Sequence, residues 1–198
     1  MGAADRHLCP GPARSLDLSS SPVEMVLRPG TVDDESALLE LFDEAVRWLA
    51  GRGLGGQWGT QPWSERPDRR ERISRLARSS ELTIAEVGNR VVGALEVGES
   101  SPSYAPRVHE DNLYIYVLLT SRRLIGQGIG GALLSHARAD CRTRGLELLR
   151  VDCWAGGEQQ LVRYYESQGF TATEQFDRDG WLGQLLIQRL DNSASLIK

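Results

Sequence analysis

Residues 112–131 read Asn-Leu-Tyr-Ile-Tyr-Val-Leu-Leu-Thr-Ser-Arg-Arg-Leu-Ile-Gly-Gln-Gly-Ile-Gly-Gly, and they constrain the fold more than any other stretch. The apolar and aromatic run Leu113 to Leu119 predicts a buried central strand. A basic turn follows, and then a glycine cluster that opens a helix at Ile129. Glycine lets a backbone approach a ligand closely, and the first N–H groups of a helix have no internal partners. Such a helix start attracts phosphate. A strand aimed at a glycine-rich helix start predicts layered α and β structure with a pyrophosphate cradle.

The rest of the chain supplies the layers. Residues 1–22 are rich in Ser, Pro, Gly and Ala and predict a disordered tail, leaving one domain over 23–191 and a short tail over 192–198. The domain begins with a strand, Glu24 to Arg28, and a helix capped by Thr31 or Asp33 whose apolar residues Leu38, Leu41, Phe42, Ala45, Val46 and Leu49 keep helical spacing. After the glycine-rich loop 51–59, a second helix spans about Pro67 to Arg78. Two β-rich runs joined by Gly88-Asn89 then form a hairpin. Beyond the central strand come a helix ended by Gly145, a strand at 148–154, a helix at 158–168 ended by Gly169, and strands near 170–177 and 182–190.

Composition excludes several classes. A net charge of −4 and a pI near 5.5 oppose nucleic-acid binding. Three cysteines without CxxC spacing suggest free thiols in a reducing cytoplasm, with neither a disulfide frame nor a metal site. No apolar run has membrane-spanning length, and no signal-peptide core precedes the domain.

Gly126, Gly128 and Gly131 satisfy the dinucleotide fingerprint Gly-x-Gly-x-x-Gly, with Asp152 about 20 residues on as a ribose-binding acid. The context opposes a NAD(P)-dependent oxidoreductase. Thr120 to Ile125 separate strand from glycines, a hairpin precedes the motif, and too little chain follows residue 154 for further parallel units. The order β-α-α-β-β-β-α-β-α-β-β instead resembles the GCN5-related N-acetyltransferase (GNAT) superfamily. Val26-Leu27-Arg28-Pro29, Ile125-Gly126-Gln127-Gly128-Ile129-Gly130 and Tyr164-Tyr165-Glu166-Ser167-Gln168-Gly169-Phe170 carry the resemblance, which covers residues 24–190.

The resemblance implies a mixed α/β (α+β) fold. A mostly antiparallel sheet would be flanked by helices, with the fourth and fifth strands splayed around acetyl-CoA as cosubstrate. Backbone groups of Leu118, Leu119 and Thr120 would pair with the pantetheine. Gly126, Gln127, Gly128, Ile129, Gly130 and Gly131 would hold the pyrophosphate. The first motif position, usually Arg or Gln, is Ile125 here, so Arg122 and Arg123 are the candidates to supply the missing charge. The asparagine that usually precedes the last helix is also absent, with Gly157 and Glu158 in its place.

By the same resemblance, Tyr165 would protonate the departing thiolate, a phenol near pKa 10 being close to a thiol near 8.5. The fourth strand carries no acid, so the general base is sought among Glu96, Asp152, His109, Glu110 and Asp111, with Glu96 and Asp152 preferred as strand acids. Deprotonating an alkyl amine at pH 7 costs roughly 4.6 kcal/mol and an α-amine only about 1.4, so a weak base suits the less basic amine. Trp58, Trp63, Tyr114 and Tyr116 are the substrate-facing candidates, and Trp48 fits loop packing better. Their rings predict a pocket for an apolar or cationic amine, beside a mobile glycine-rich lid. Cys153 in a strand favours direct transfer over an acetyl-cysteine route.

The expectation is a cytoplasmic N-acetyltransferase for a small-molecule or protein amine, without a nucleic-acid or membrane partner. A homodimer through the final strands is compatible with the sequence. The competing expectation is a non-catalytic acyl-CoA-binding regulator.

Overall fold

The computed structural model describes residues 24–191, so the two tails lie outside the described residues. The chain runs β1 (Met25–Pro29), α1 (Glu35–Ala50), α2 (Pro67–Ala77), β2 (Leu82–Val87), β3 (Arg90–Gly98), β4 (Leu113–Thr120), α3 (Ile129–Thr143), β5 (Leu148–Trp154), α4 (Gln160–Ser167), β6 (Thr171–Arg178) and β7 (Trp181–Arg189). These seven strands form one sheet in the order β1-β2-β3-β4-β5-β7-β6. Only the β4–β5 pair is parallel. This is the mixed, mostly antiparallel sheet that the sequence predicts.

Local chemistry fixes the element ends. Before α1, the Thr31 N–H donates to the Asp34 carboxylate at 2.8 Å. Arg28 on β1 grips the same carboxylate through two bonds of 2.9 and 2.7 Å, and reaches Glu86 on β2 at 2.7 Å. The first strand, the first helix and the second strand are thereby pinned together. Gly145 and Gly169 stop α3 and α4 in the left-handed conformation that only glycine adopts without cost.

Helices cover both faces. α1 and α2 bury Leu38, Phe42, Val46, Ile73 and Leu76 against Ile84, Ala94, Val117 and Leu119. α3 and α4 bury Leu133, Leu134, Val162 and Tyr165 against Leu95, Leu113, Ile115 and Leu149.

β4 contributes to both cores along a single stretch, and the reason is a bulge. Val97 pairs with Ile115 and Glu96 with Val117, which leaves Tyr116 as an extra residue. In an unbroken strand residues 113, 115, 117 and 119 would share a face. The bulge switches faces after Ile115, so Val117 and Leu119 meet α1 while Leu118 packs on the α3 side. A bulge also bends its strand. β4 pairs with β5 only from Leu113 to Ile115, opposite Leu149 to Val151. Beyond that point the two strands part.

Candidate active site

The gap between β4 and β5 opens into two cavities, of about 550 Å³ toward α3 and about 350 Å³ toward α2 and the β6–β7 turn. They share a wall made of Gln57, Leu118, Arg122, Trp154, Leu161 and Tyr165.

The larger cavity ends at the glycine cluster. Gly126 and Gly128 have φ of 82° and 76°, and a side chain there would be strained even though the space beside it is open. Gly130 is close-packed for a different reason, since a Cβ would stand 2.3 Å from the Tyr164 hydroxyl and displace it. Among the described residues, the N–H groups of Gly126, Gly128, Ile129, Gly130 and Gly131 donate to no carbonyl. Gln127 differs from the expectation. Its N–H donates to the Leu124 carbonyl at 3.2 Å, and its side chain lies off the cavity wall.

The two arginines of the preceding turn divide. The Glu44 carboxylate accepts from the Arg123 N–H at 3.0 Å and lies 3.5 Å from its guanidinium, which holds Arg123 away from the cavity wall. Arg122 lines the cavity instead, its guanidinium 4.8 Å above the Trp48 ring and its Nε buried without a partner. Ile125 stands at the rim, 60% exposed. Leu118 and Thr120 present side chains to the cavity, whereas Leu119 is buried under α1 and offers only backbone.

Free amides at a helix start, a guanidinium whose Nε is buried without a partner and an apolar flank of Trp48, Leu54 and Leu118 suit a pyrophosphate joined to an apolar arm.

Tyr165 sits on the shared wall at 6% exposure. Burial pushes its hydroxyl well above pKa 10, so it remains protonated, and the close match to a thiol anticipated from the sequence does not hold. Tyr164 faces the larger cavity and meets Tyr165 edge-on, with ring centroids 5.4 Å apart.

Asp152 faces the smaller cavity one residue beyond the last β4–β5 pairing. Its carboxylate accepts a hydrogen bond from Tyr114 and a longer one, 3.5 Å, from Tyr104. Desolvation raises its pKa and outweighs both hydroxyls, which lower it. Tyr114 is fully buried and off both cavity walls, so the structure gives it to Asp152 rather than to a substrate. Glu96 also lies off both walls and turns toward Ser79 and Arg72. Glu110 is taken by Arg189 in an exposed ion pair of 2.7 Å. Burial pushes the Cys153 thiol up to about 12, which leaves negligible thiolate for an acetyl-cysteine route.

The aromatics divide as well. Trp58 and Tyr116 line the smaller cavity. Trp63 reaches its edge but is 1% exposed and stacks on Phe42, with centroids 4.3 Å apart. Arg69 and Arg72 already stand over the Trp63 ring, at 4.8 and 5.4 Å. The cation-binding face expected for a cationic amine is therefore filled from within. Arg69, Arg72, Arg178, Gln57 and Trp154 escape detection in the sequence. Only Trp154 left a signal there, the glycines around it: a Cβ on Gly56, Gly156 or Gly157 would lie 2.2 to 3.0 Å from its ring.

A split sheet whose gap ends at free helix amides defines a protein that binds a phosphate-bearing ligand in that gap, and similarity to known proteins narrows the class. The family model described as acetyltransferase (GNAT) family matches residues 40–170. The chain belongs to that family. The fold is shared with a GNAT-family acetyltransferase of Listeria monocytogenes (TM-score 0.61, 18% identity, 85% of this chain and 96% of that one). It is shared with yncA of Salmonella typhimurium, solved with its cofactor acetyl-CoA (0.58, 21%, 86% and 96%). The PaiA N-acetyltransferase of Thermoplasma acidophilum, in complex with coenzyme A, is similar too (0.62, 16%, 84% and 99%). No curated protein is a significant match to the chain. Among the described residues, no helix is long and apolar enough to cross a membrane, and no group of three or more His, Cys, Asp or Glu could hold a metal ion.

Proposed function

We propose that this protein is an acetyl-CoA-dependent N-acetyltransferase acting by direct attack of a small-molecule amine. The observation that carries the reading is the position of Tyr165, on the wall common to a cavity suited to a pyrophosphate-bearing cosubstrate and a second cavity holding Asp152. Acetyl-CoA supplies an acyl group already activated as a thioester.

The chain's own residues do the rest. The N–H groups from Gly126 to Gly131, except that of Gln127, and the guanidinium of Arg122 bind the pyrophosphate. Between Val117 and Thr120 β4 pairs with β3 but not with β5, and its free edge aligns the pantetheine arm like an added strand. Asp152 accepts the proton that the amine loses as the new C–N bond forms. Its raised pKa makes it a stronger base than an ordinary carboxylate. Tyr165, which burial keeps in its protonated form, donates its hydroxyl hydrogen to the sulfur as the C–S bond breaks.

Titration calorimetry with acetyl-CoA, paired with CoA-thiol release across an amine panel, tests the reading. Tyr165→Phe should keep cosubstrate affinity within about twofold while kcat falls by roughly 100-fold, the usual scale for a lost acid. Binding with no thiol release for any amine would leave a non-catalytic acyl-CoA-binding protein. No binding would remove the function altogether.

A further inference from the structure

The acceptor cavity carries more positive charge than its protein. Four arginines line it, Arg69, Arg72, Arg122 and Arg178, against two aspartates, Asp152 and Asp179, although the chain as a whole is net negative. Arg69 and Arg72 stand over one indole, that of Trp63. Arg178 stands 4.2 Å over the ring of Tyr104, whose hydroxyl points back to Asp152. Among the described residues, Arg72 and Arg178 form no ion pair. Arg69 comes no nearer to a carboxylate than the 3.6 Å between its Nε and Asp68, an acid already bound by Arg66. Its Nε is buried without a hydrogen-bond partner.

Shielding Trp63 needs a single guanidinium. A second one on the same ring, with a third across the cavity, adds repulsion: Asp152 feels Arg178, but among the described residues neither Asp152 nor Asp179 forms an ion pair with any of the three. Glu96, the acid felt by Arg72, lies behind the wall. An anion in the cavity would relieve that repulsion, and guanidinium is the side chain best shaped to grip carboxylate or phosphate.

We propose that the acceptor is an amine that also carries a carboxylate or phosphate, its anion held by Arg69, Arg72 and Arg178 and its amino group directed to Asp152. The proposal rests on the N-acetyltransferase reading and deepens it. The same arginines disfavour an ammonium ion, so they help the bound amine lose its proton to Asp152. A cavity of about 350 Å³ limits the acceptor to amino-acid size or a small aminoalkyl phosphate.

The test uses acceptors with and without the anion: leucine against leucinamide and isoamylamine, whose amines are respectively less and more basic than leucine's, and phosphoethanolamine against ethanolamine. Initial rates of CoA-thiol release are read on the full chain, with acetyl-CoA binding measured alongside. The anionic member of at least one pair should show a kcat/KM about 10- to 100-fold higher, the scale of a charge-assisted double hydrogen bond. Preference for the carboxylate pair or the phosphate pair identifies the anion. Arg178→Gln and Arg72→Gln should each erase most of that preference through KM, with the acetyl-CoA affinity unchanged, since neither residue lines the larger cavity. Equal or better turnover of the neutral amines would overturn the anionic acceptor while leaving the N-acetyltransferase intact. Acetyl-CoA binding without turnover of any amine would overturn both.

Discussion

Tyr114 on β4 donates its phenolic hydrogen to the carboxylate of Asp152 on β5, beside the point where the two strands part. One buried hydroxyl thus links the scaffold of the gap to the acid that faces the smaller cavity. Its bond favours the charged carboxylate and opposes the desolvation that raises the Asp152 pKa.

Tyr114→Phe should therefore raise the Asp152 pKa further. If Asp152 is the base, the acidic limb of the kcat/KM profile moves to higher pH, while kcat at the alkaline plateau falls by less than about tenfold. A purely structural hydroxyl would lower the amount of folded enzyme and leave the limb where it is. Asp152→Asn should remove the limb and cost about 100-fold in kcat.

Stability should move in the opposite direction to activity at Asp152. Its folded-state pKa lies above the ordinary 3.8, so the native state holds the extra proton between those two values. By linkage the wild-type carboxyl is fully tolerated below the ordinary value and becomes a burden as pH rises through the raised one. Asp152→Asn should thus melt higher than wild type at pH 7.5, with the gap closing as the pH is lowered toward 4. Melting curves across that range check it, and a gap independent of pH would show that charge burial is not the cause.

Arg122 and Arg123 are adjacent and chemically identical, yet only Arg122 lines the cosubstrate cavity. Arg122→Gln should weaken acetyl-CoA binding by roughly tenfold, the scale of one charge-assisted contact. Arg123→Gln, which loses a largely exposed pair with Glu44, should change affinity less than about twofold. Calorimetry on both variants decides it, and the reverse ranking would return the phosphate contact to Arg123.

The order of elements was readable because punctuation residues mark it. Gly88-Asn89 joins β2 to β3, Gly145 and Gly169 end helices, and the cluster from Gly126 to Gly131 opens α3. The bulge at Tyr116 was not readable. Every residue from Leu113 to Leu119 is apolar or aromatic, so the run has no two-residue alternation whose slip could betray a change of face. The arginine set was hidden for another reason. Arg69 and Arg72 belong to α2 and Arg178 to the end of β6, and they meet only because β7 and β6 follow β5 in the sheet. Glu96 and Asp152 looked alike as strand acids, and only the parting of β4 from β5 places one in a cavity and the other behind it.

The segment before α4 carries a strain that can be removed. Gly157, Glu158 and Gln159 have φ of 58°, 57° and 59°, three successive left-handed residues of which two are not glycine. A Cβ in that conformation costs roughly 1–2 kcal/mol per residue. The asparagine that family members usually place here is the side chain that tolerates the left-handed region best after glycine. Glu158→Asn or Glu158→Gly should therefore stabilise the protein by up to about 1 kcal/mol, a gain of roughly 2–4 °C in Tm for a chain of this size. Neither Glu158 nor Gln159 lines the cosubstrate cavity, so acetyl-CoA affinity should not fall. A lower Tm in both variants, measured without ligand, would mean that the Glu158 side chain contributes more than its backbone conformation costs.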